Sequence, residues 1–196
     1  MRRALHYVSA RHGDKYGPEY TEALKKQVPG LVCLGDDRPL QSELGGWWCI
    51  LEPFAPWNAD LRPCVWFDLD TYVFGPLDVF NRLDKTQYWM IDNFNEPKNG
   101  ECGIMLVPDS PLCDEIWENR GDPKMSAPPG NYLRNFPHRR LNREISGIYS
   151  YKNHCRESRP DDARIICFHG QPKPTTLKPG WAKDYWHTIT SLTTNC

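Results

Sequence analysis

The apolar positions of this chain change period along its length. Residues 4–10 (ALHYVSA) read as a first strand, and after a Gly and Pro turn Tyr20, Leu24 and Val28 recur at i, i+4 and i+8 as one stripe of a helix over 19–28. The apolar run Leu31 to Leu34 then ends in Gly35-Asp36-Asp37, polar groups at the carboxyl end of a second strand. Trp47, Ile50, Leu51 and Phe54 fall on one face of a helix predicted over 47–54. Two strand, loop, helix units therefore open the chain.

Residues 64–69 begin with Cys64-Val65-Trp66-Phe67, the continuous apolar run expected of a central strand buried on both faces. It runs into Asp68-Leu69-Asp70, and strand ends of this kind are where ligands bind in open α/β sheets. Further strands are predicted at 87–91, 103–107, 145–151 and 164–168, with helical pieces near 111–118, 130–136 and 184–192. The Pro-, Gly- and charge-rich stretches 119–130 and 152–162 read as loops. The order is α/β first and more mixed later, with no internal repeat.

Length and charge narrow the function. A chain of 196 residues fits one domain with a real core. Its 24 basic and 25 acidic side chains nearly cancel, which disfavours a nucleic-acid partner. The start, MRRALHYVSARHG, has too short an apolar run for a secretory signal or a membrane span, so a soluble cytoplasmic protein is expected. None of the eight cysteines shows CxxC spacing, and Cys33, Cys64 and Cys167 lie within apolar runs, where reduced, buried thiols are expected.

The sharpest chemical feature is the DxD of FDLDT. In a regular strand, positions i and i+2 share a face, so Asp68 and Asp70 can address one ion, and paired carboxylates favour Mg²⁺ or Mn²⁺ bridged to substrate phosphates. Near the other end, the strand ARIICF runs into His169-Gly170-Gln171-Pro172-Lys173, a borderline metal ligand followed by a cation for phosphate. An apolar strand ending in DxDxT also resembles haloacid-dehalogenase-type phosphatases, with Asp68 as nucleophile and Asp70 as general acid and base. In those enzymes the motif opens the domain and a further acidic pair follows it, whereas here the acidic pair Asp36-Asp37 comes first.

Taken together, KYGPEY (15–20), LGDD (34–37), GWW (46–48), WFDLDTYVFGPLD (66–78), the GIM of ECGIM (101–105), IYSYK (148–152) and FHGQPKP (168–174) resemble the GT-A glycosyltransferases. The similarity is to the glycogenin and lipopolysaccharide galactosyltransferase group and its small bacterial and phage-encoded relatives. The resemblance implies a single Rossmann-like α/β domain with a central, mostly parallel mixed sheet flanked by helices. Residues 1–80 would form the nucleotide-binding half and 81–196 the acceptor half.

It also implies a UDP-sugar donor, a Mn²⁺ or Mg²⁺ ion on Asp68, Asp70 and His169, and an acceptor, glycan or small molecule, that these motifs do not specify. Ser9, Ala10, Arg11 and Tyr16 would hold the base and ribose, with Asp36 or Asp37 reading the uracil. Leu69, Gly170 and Lys173 would meet the nucleotide's phosphate side, while Cys102 and Gly103 approach the donor sugar. Trp48 would either wall this pocket or pack in the core. An inverting transferase needs a base for the acceptor hydroxyl, for which Asp92 and Glu101 are the candidates. A nucleotide-sugar-binding protein without turnover would keep the same ion and nucleotide residues. The chain departs from its relatives where they carry a basic residue shortly after the tryptophans, since it reads Trp47-Trp48-Cys49-Ile50.

Overall fold

A computed structural model describes residues 4–121 and 128–191. The first half contains β1 (His6–Ala10), α1 (Pro18–Gln27), β2 (Leu31–Leu34), 3₁₀ helices at Gly46–Phe54 and Pro56–Leu61, then β3 (Cys64–Phe67) and β4 (Thr71–Val73). It continues through β5 (Trp89–Asp92), β6 (Gly100–Val107), α2 (Leu112–Glu118), α3 (Pro129–Leu133) and β7 (Arg139–Arg140). The chain then forms α4 (Leu141–Glu144), β8 (Ile148–Ser150), α5 (Tyr151–His154), β9 (Ile165–Cys167) and α6 (Trp181–Ser191).

Six strands make one sheet in the order β2-β1-β3-β6-β5-β7. β6 runs against both of its neighbours and the other pairings are parallel, so the sheet is mixed but mostly parallel. β3 is its buried centre. Val65 and Phe67 pack into one core layer with Tyr20 and Leu24 of α1, while Cys64 and Trp66 join the opposite layer with Leu51 and Phe54. The unbroken apolar run is thus explained by a strand with no water-facing side. β6 repeats the alternation, with Ile104 and Leu106 in the first layer and Met105 and Val107 in the second.

A second sheet, β4-β9-β8, shapes the site. β4, which has no separate signal in the sequence, starts directly after Asp70 and pairs antiparallel with β9, Thr71 opposite Cys167 and Val73 opposite Ile165. This register brings the chain after β9 back alongside the DxD turn. His169 therefore does not arrive on a parallel strand of the main sheet, as expected from strand ends sharing one edge. It arrives from a different sheet, by antiparallel pairing.

Three local expectations are corrected. Residues 47–54 form a 3₁₀ rather than an α-helix: Pro53 lies inside it and cannot donate a backbone hydrogen bond, and Trp48 to Phe54 are all buried while Trp47 is 60% exposed. The strand expected over 145–151 is shortened, because Ser150 caps a helical turn by accepting the Asn153 N–H, so the loop assigned to 152–162 begins helically. Of the loop 119–130, residues 122–127 lie outside the described residues, as do the chain start 1–3, residue 192 and Cys196, while Pro129 begins α3.

Cys33, Cys64 and Cys167 are free and buried, in line with the apolar runs that hold them. Burial pushes the Cys33 thiol up to about 12 and raises Cys64 and Cys167 well above the ordinary range, so none presents a thiolate near neutrality. A thiol reagent is expected to label these three slowly in the folded protein and rapidly in denaturant. Burst labelling of all cysteines under native conditions would contradict this packing.

Candidate active site

Asp68 and Asp70 leave the carboxyl end of β3 in a tight turn, with the Thr71 N–H donating to the Asp68 carbonyl at 3.2 Å and the Asp68 N–H to the Gly103 carbonyl at 2.9 Å. The two carboxylates meet different surroundings. Asp68 opens onto a cavity of about 410 Å³, the size range of small-molecule sites. Asp70 is 2% exposed and lies against the Lys173 ammonium, which also donates to the Phe168 carbonyl at 3.1 Å, and it accepts the Tyr16 hydroxyl at 3.0 Å.

This asymmetry sets their charges. Burial, then the neighbouring charge of Asp70, pushes the Asp68 carboxyl up to about 7, although the Trp66 indole N–H donates to it at 3.1 Å. His169 lines the same cavity and is pushed down from its ordinary value by burial and by Lys152, so its ring is neutral at pH 7. Its Nε2 is hydrogen-bonded to Ser150 Oγ at 2.6 Å and its ring stacks on Phe94.

The donor set fits a hard divalent ion through two residues. Adjacent carboxylates, one facing the cavity with its ionisation opposed by the other, are relieved by a cation, and such ions commonly take one or two protein carboxylates beside substrate oxygens. Lys173 already brings one positive charge to Asp70. The three-ligand expectation is not met in this arrangement, since no group of three His, Cys, Asp or Glu side chains among the described residues is placed to hold an ion. His169 is instead engaged with Ser150.

Of the other expected residues, Ala10, Tyr16, Leu69, Cys102, Gly170 and Lys173 line the cavity. Several do not. Ser9 is fully buried and its hydroxyl donates to the Phe67 carbonyl at 2.7 Å, which joins β1 to β3. Arg11 is turned to Asp36, holding that carboxyl down at about 2, and Thr21 donates to the same carboxylate at 2.6 Å. Gly35 permits this close turn: its φ is +97° and a Cβ would stand 2.1 Å from the Arg11 carbonyl oxygen. Asp37 accepts Lys25 and the Cys33 N–H. Both acids are thus consumed within the β1–β2 corner rather than offered to a base.

Trp48 packs in the core beside Tyr132, and Trp47 takes the place in the cavity wall. Gly103 sits behind Asp68 rather than in the wall. Asp92 lies off the cavity and pairs with Arg140 at 3.3 Å, whereas Glu101 is in the wall, accepting Asn93 Nδ2 at 3.0 Å and the Cys102 N–H at 3.1 Å. Sequence reasoning gave no role to Lys15, the first residue of the KYGPEY segment, or to His12, Asn93 and Arg134, which also line the cavity.

The mixed, mostly parallel sheet flanked by helices matches a glycosyltransferase fold. The chain is similar to the glycosyltransferase GlyE of Streptococcus pneumoniae TIGR4: its apo form matches with a TM-score of 0.56 at 11% identity over 97% of this chain and 63% of that one. A second GlyE structure gives a TM-score of 0.59 at 11% identity and the same coverage. The likeness at this identity is one of fold, and the chain spans 63% of the GlyE length. No protein-family profile and no curated protein sequence matches.

The raised Asp68 carboxyl has a measurable consequence in metal-free protein. A carboxyl near 3.8 when unfolded and near 7 when folded opposes folding once it ionises, so stability is full below the unfolded value and falls as pH rises towards 7. Asp68→Asn removes that loss. With chelator present, the variant is expected to gain steadily on the wild type as pH rises from about 4 towards 8, read from denaturant midpoints. A difference independent of pH would show that Asp68 ionises normally.

Proposed function

We propose that the chain is a glycosyltransferase that moves a sugar from a UDP-sugar to an acceptor hydroxyl, with a Mn²⁺ or Mg²⁺ ion at Asp68 and Asp70. The observation that carries this reading is the DxD turn at the end of the central strand of a glycosyltransferase fold, with one acid opening onto a cavity of nucleotide-sugar size. Asp68 and Asp70 would hold the metal, which would supply positive charge against the departing diphosphate. His169 stands in the same wall as a neutral imidazole, and with its Nε2 bonded to Ser150 it would join the ion through Nδ1.

The chain's own residues supply the rest. Lys173, released from Asp70 once another cation balances that carboxylate, turns its ammonium to the diphosphate. Tyr16 and Ala10 wall the nucleotide side. Glu101 is the better-placed acceptor base, since Asn93 and the Cys102 N–H fix its carboxylate at the cavity, whereas Asp92 is held by Arg140. The phosphatase reading loses support because the other acidic pair, Asp36 and Asp37, is bonded to Arg11, Thr21 and Lys25.

A diphosphate entering beside two carboxylates is repelled unless a cation intervenes. UDP with Mn²⁺ is therefore expected to raise the melting temperature clearly, corresponding to roughly 2.7 kcal/mol at a hundredfold excess over Kd, and UDP with chelator to raise it little. Asp70→Asn is expected to melt lower by itself, because it leaves Lys173 without its buried carboxylate, and to show no Mn²⁺-dependent UDP shift relative to its own ligand-free melting temperature. An undiminished UDP shift in chelator would remove the ion from the proposal. Turnover is read as UDP release from UDP-sugars with Mn²⁺, where Glu101→Gln should lower the rate about a hundredfold or more with binding unchanged. Binding without any release would assign the chain to nucleotide-sugar binding.

A further inference from the structure

Several cations in this fold are ion-paired. Arg11, Lys25, Arg38, Arg62, Arg140 and Lys173 each pair with an aspartate. Lys15 differs. Among the described residues it has no carboxylate partner, yet its ammonium is not loose: it lies 4.5 Å from the ring centroid of Trp47 and 5.0 Å from that of Tyr16, on the cavity wall. Trp47 is itself tied back, because the Gly46 N–H donates to His12 Nδ1 at 2.9 Å, joining its loop to the loop that carries Lys15.

The second feature is convergence. The Lys173 ammonium lies 5.6 Å from the centroid of the same Tyr16 ring. Two positive charges therefore share one aromatic ring, separated by no more than the sum of their distances to it. Only one of them, Lys173, has a carboxylate, and that carboxylate is the buried Asp70. Two ammoniums on one cavity wall, with Lys15 outside any ion pair among the described residues, form a site for a compact polyanion, and aromatic faces orient the lysine stem without consuming its charge.

We propose that Lys15 and Lys173 form a two-cation clamp beside Tyr16 that binds a diphosphate, with Lys15, held against Trp47, as the binding residue for the second phosphate. Resting on the donor reading above, it names the residue that meets the second phosphate. The clamp distinguishes a diphosphate from a monophosphate, because a single phosphate engages one ammonium and a diphosphate engages both.

Calorimetric titration of the wild type, Lys15→Met and Lys15→Arg with UDP, UMP, uridine and inorganic pyrophosphate, in Mn²⁺ throughout, tests the clamp. Met keeps an apolar stem against Trp47 and removes the charge, and Arg keeps both. Lys15→Met is expected to weaken UDP and pyrophosphate about tenfold and UMP much less, with uridine unchanged, while Lys15→Arg stays close to wild type. UDP affinity unaffected by Lys15→Met would overturn the clamp and leave the donor reading standing. An equal loss for UDP and uridine would also overturn it, as a structural effect. Pyrophosphate binding that depends on Lys15, in a protein that ignores UDP, would keep the clamp and reject the nucleotide donor. A wild type that binds neither would reject both.

Discussion

A carboxylate with almost no access to water must be matched by charge or hydrogen bonds, and Asp70 is matched from two directions at once. The Tyr16 hydroxyl comes from the loop between β1 and α1, and the Lys173 ammonium from the chain beyond β9. Isolated, such a buried charge would cost several kcal/mol. Its compensation therefore fastens the first strand's loop, the turn after β3 and the C-terminal loop around one point. The cavity is the space left beside that knot.

The same knot sets the electrostatics. Because Asp70 keeps its partners, Asp68 is left as the acid whose ionisation is opposed, and it is the one facing the cavity. A site with a carboxylate whose ionisation is opposed, a lysine already resting on its neighbour and a second lysine outside any ion pair among the described residues is open to both a cation and a polyanion. Added cation and added polyanion meet opposite charges there, so each is expected to favour the other. The aromatic residues give the arrangement its stiffness: Tyr16 packs edge-on to Tyr20, which contacts Trp186, so the ring beside the two lysines is continuous with the core.

Burial explains why some acids near the sheet edge serve structure instead. Asp36 and Asp37 end β2 as Asp68 ends β3, and by strand-end logic alone the two pairs are equivalent. They differ in their neighbours. Arg11, Thr21 and Lys25 bond to the first pair, whereas the oxygens of Asp68 accept from the Trp66 indole N–H and from no other side chain among the described residues. Glu52 is a further case, fully buried and accepting from Ser42, Trp57 and Asn58 to hold the 3₁₀ segments together.

The sequence by itself determined the features written in short-range pattern. The apolar run Cys64 to Phe67 already demanded a strand buried on both faces, the i, i+4, i+8 stripe gave α1, and the placement of Asp68 at a strand end followed from where that run stops. The cysteines in apolar runs were readable for the same reason. Contacts across long separations decided the rest. The β4–β9 ladder, in which Thr71 meets Cys167 from 96 positions away, carries Lys173 to Asp70, and β4 is too short to announce itself. Whether Trp47 or Trp48 faces the cavity depended on a 3₁₀ geometry shaped by Pro53, and whether Asp36 or Asp68 is free depended on which cations fold against each. Periodicity records which side of an element is dry. It does not record which distant side chain will arrive to share a charge, and that sharing is what separates a structural acid from a chemical one.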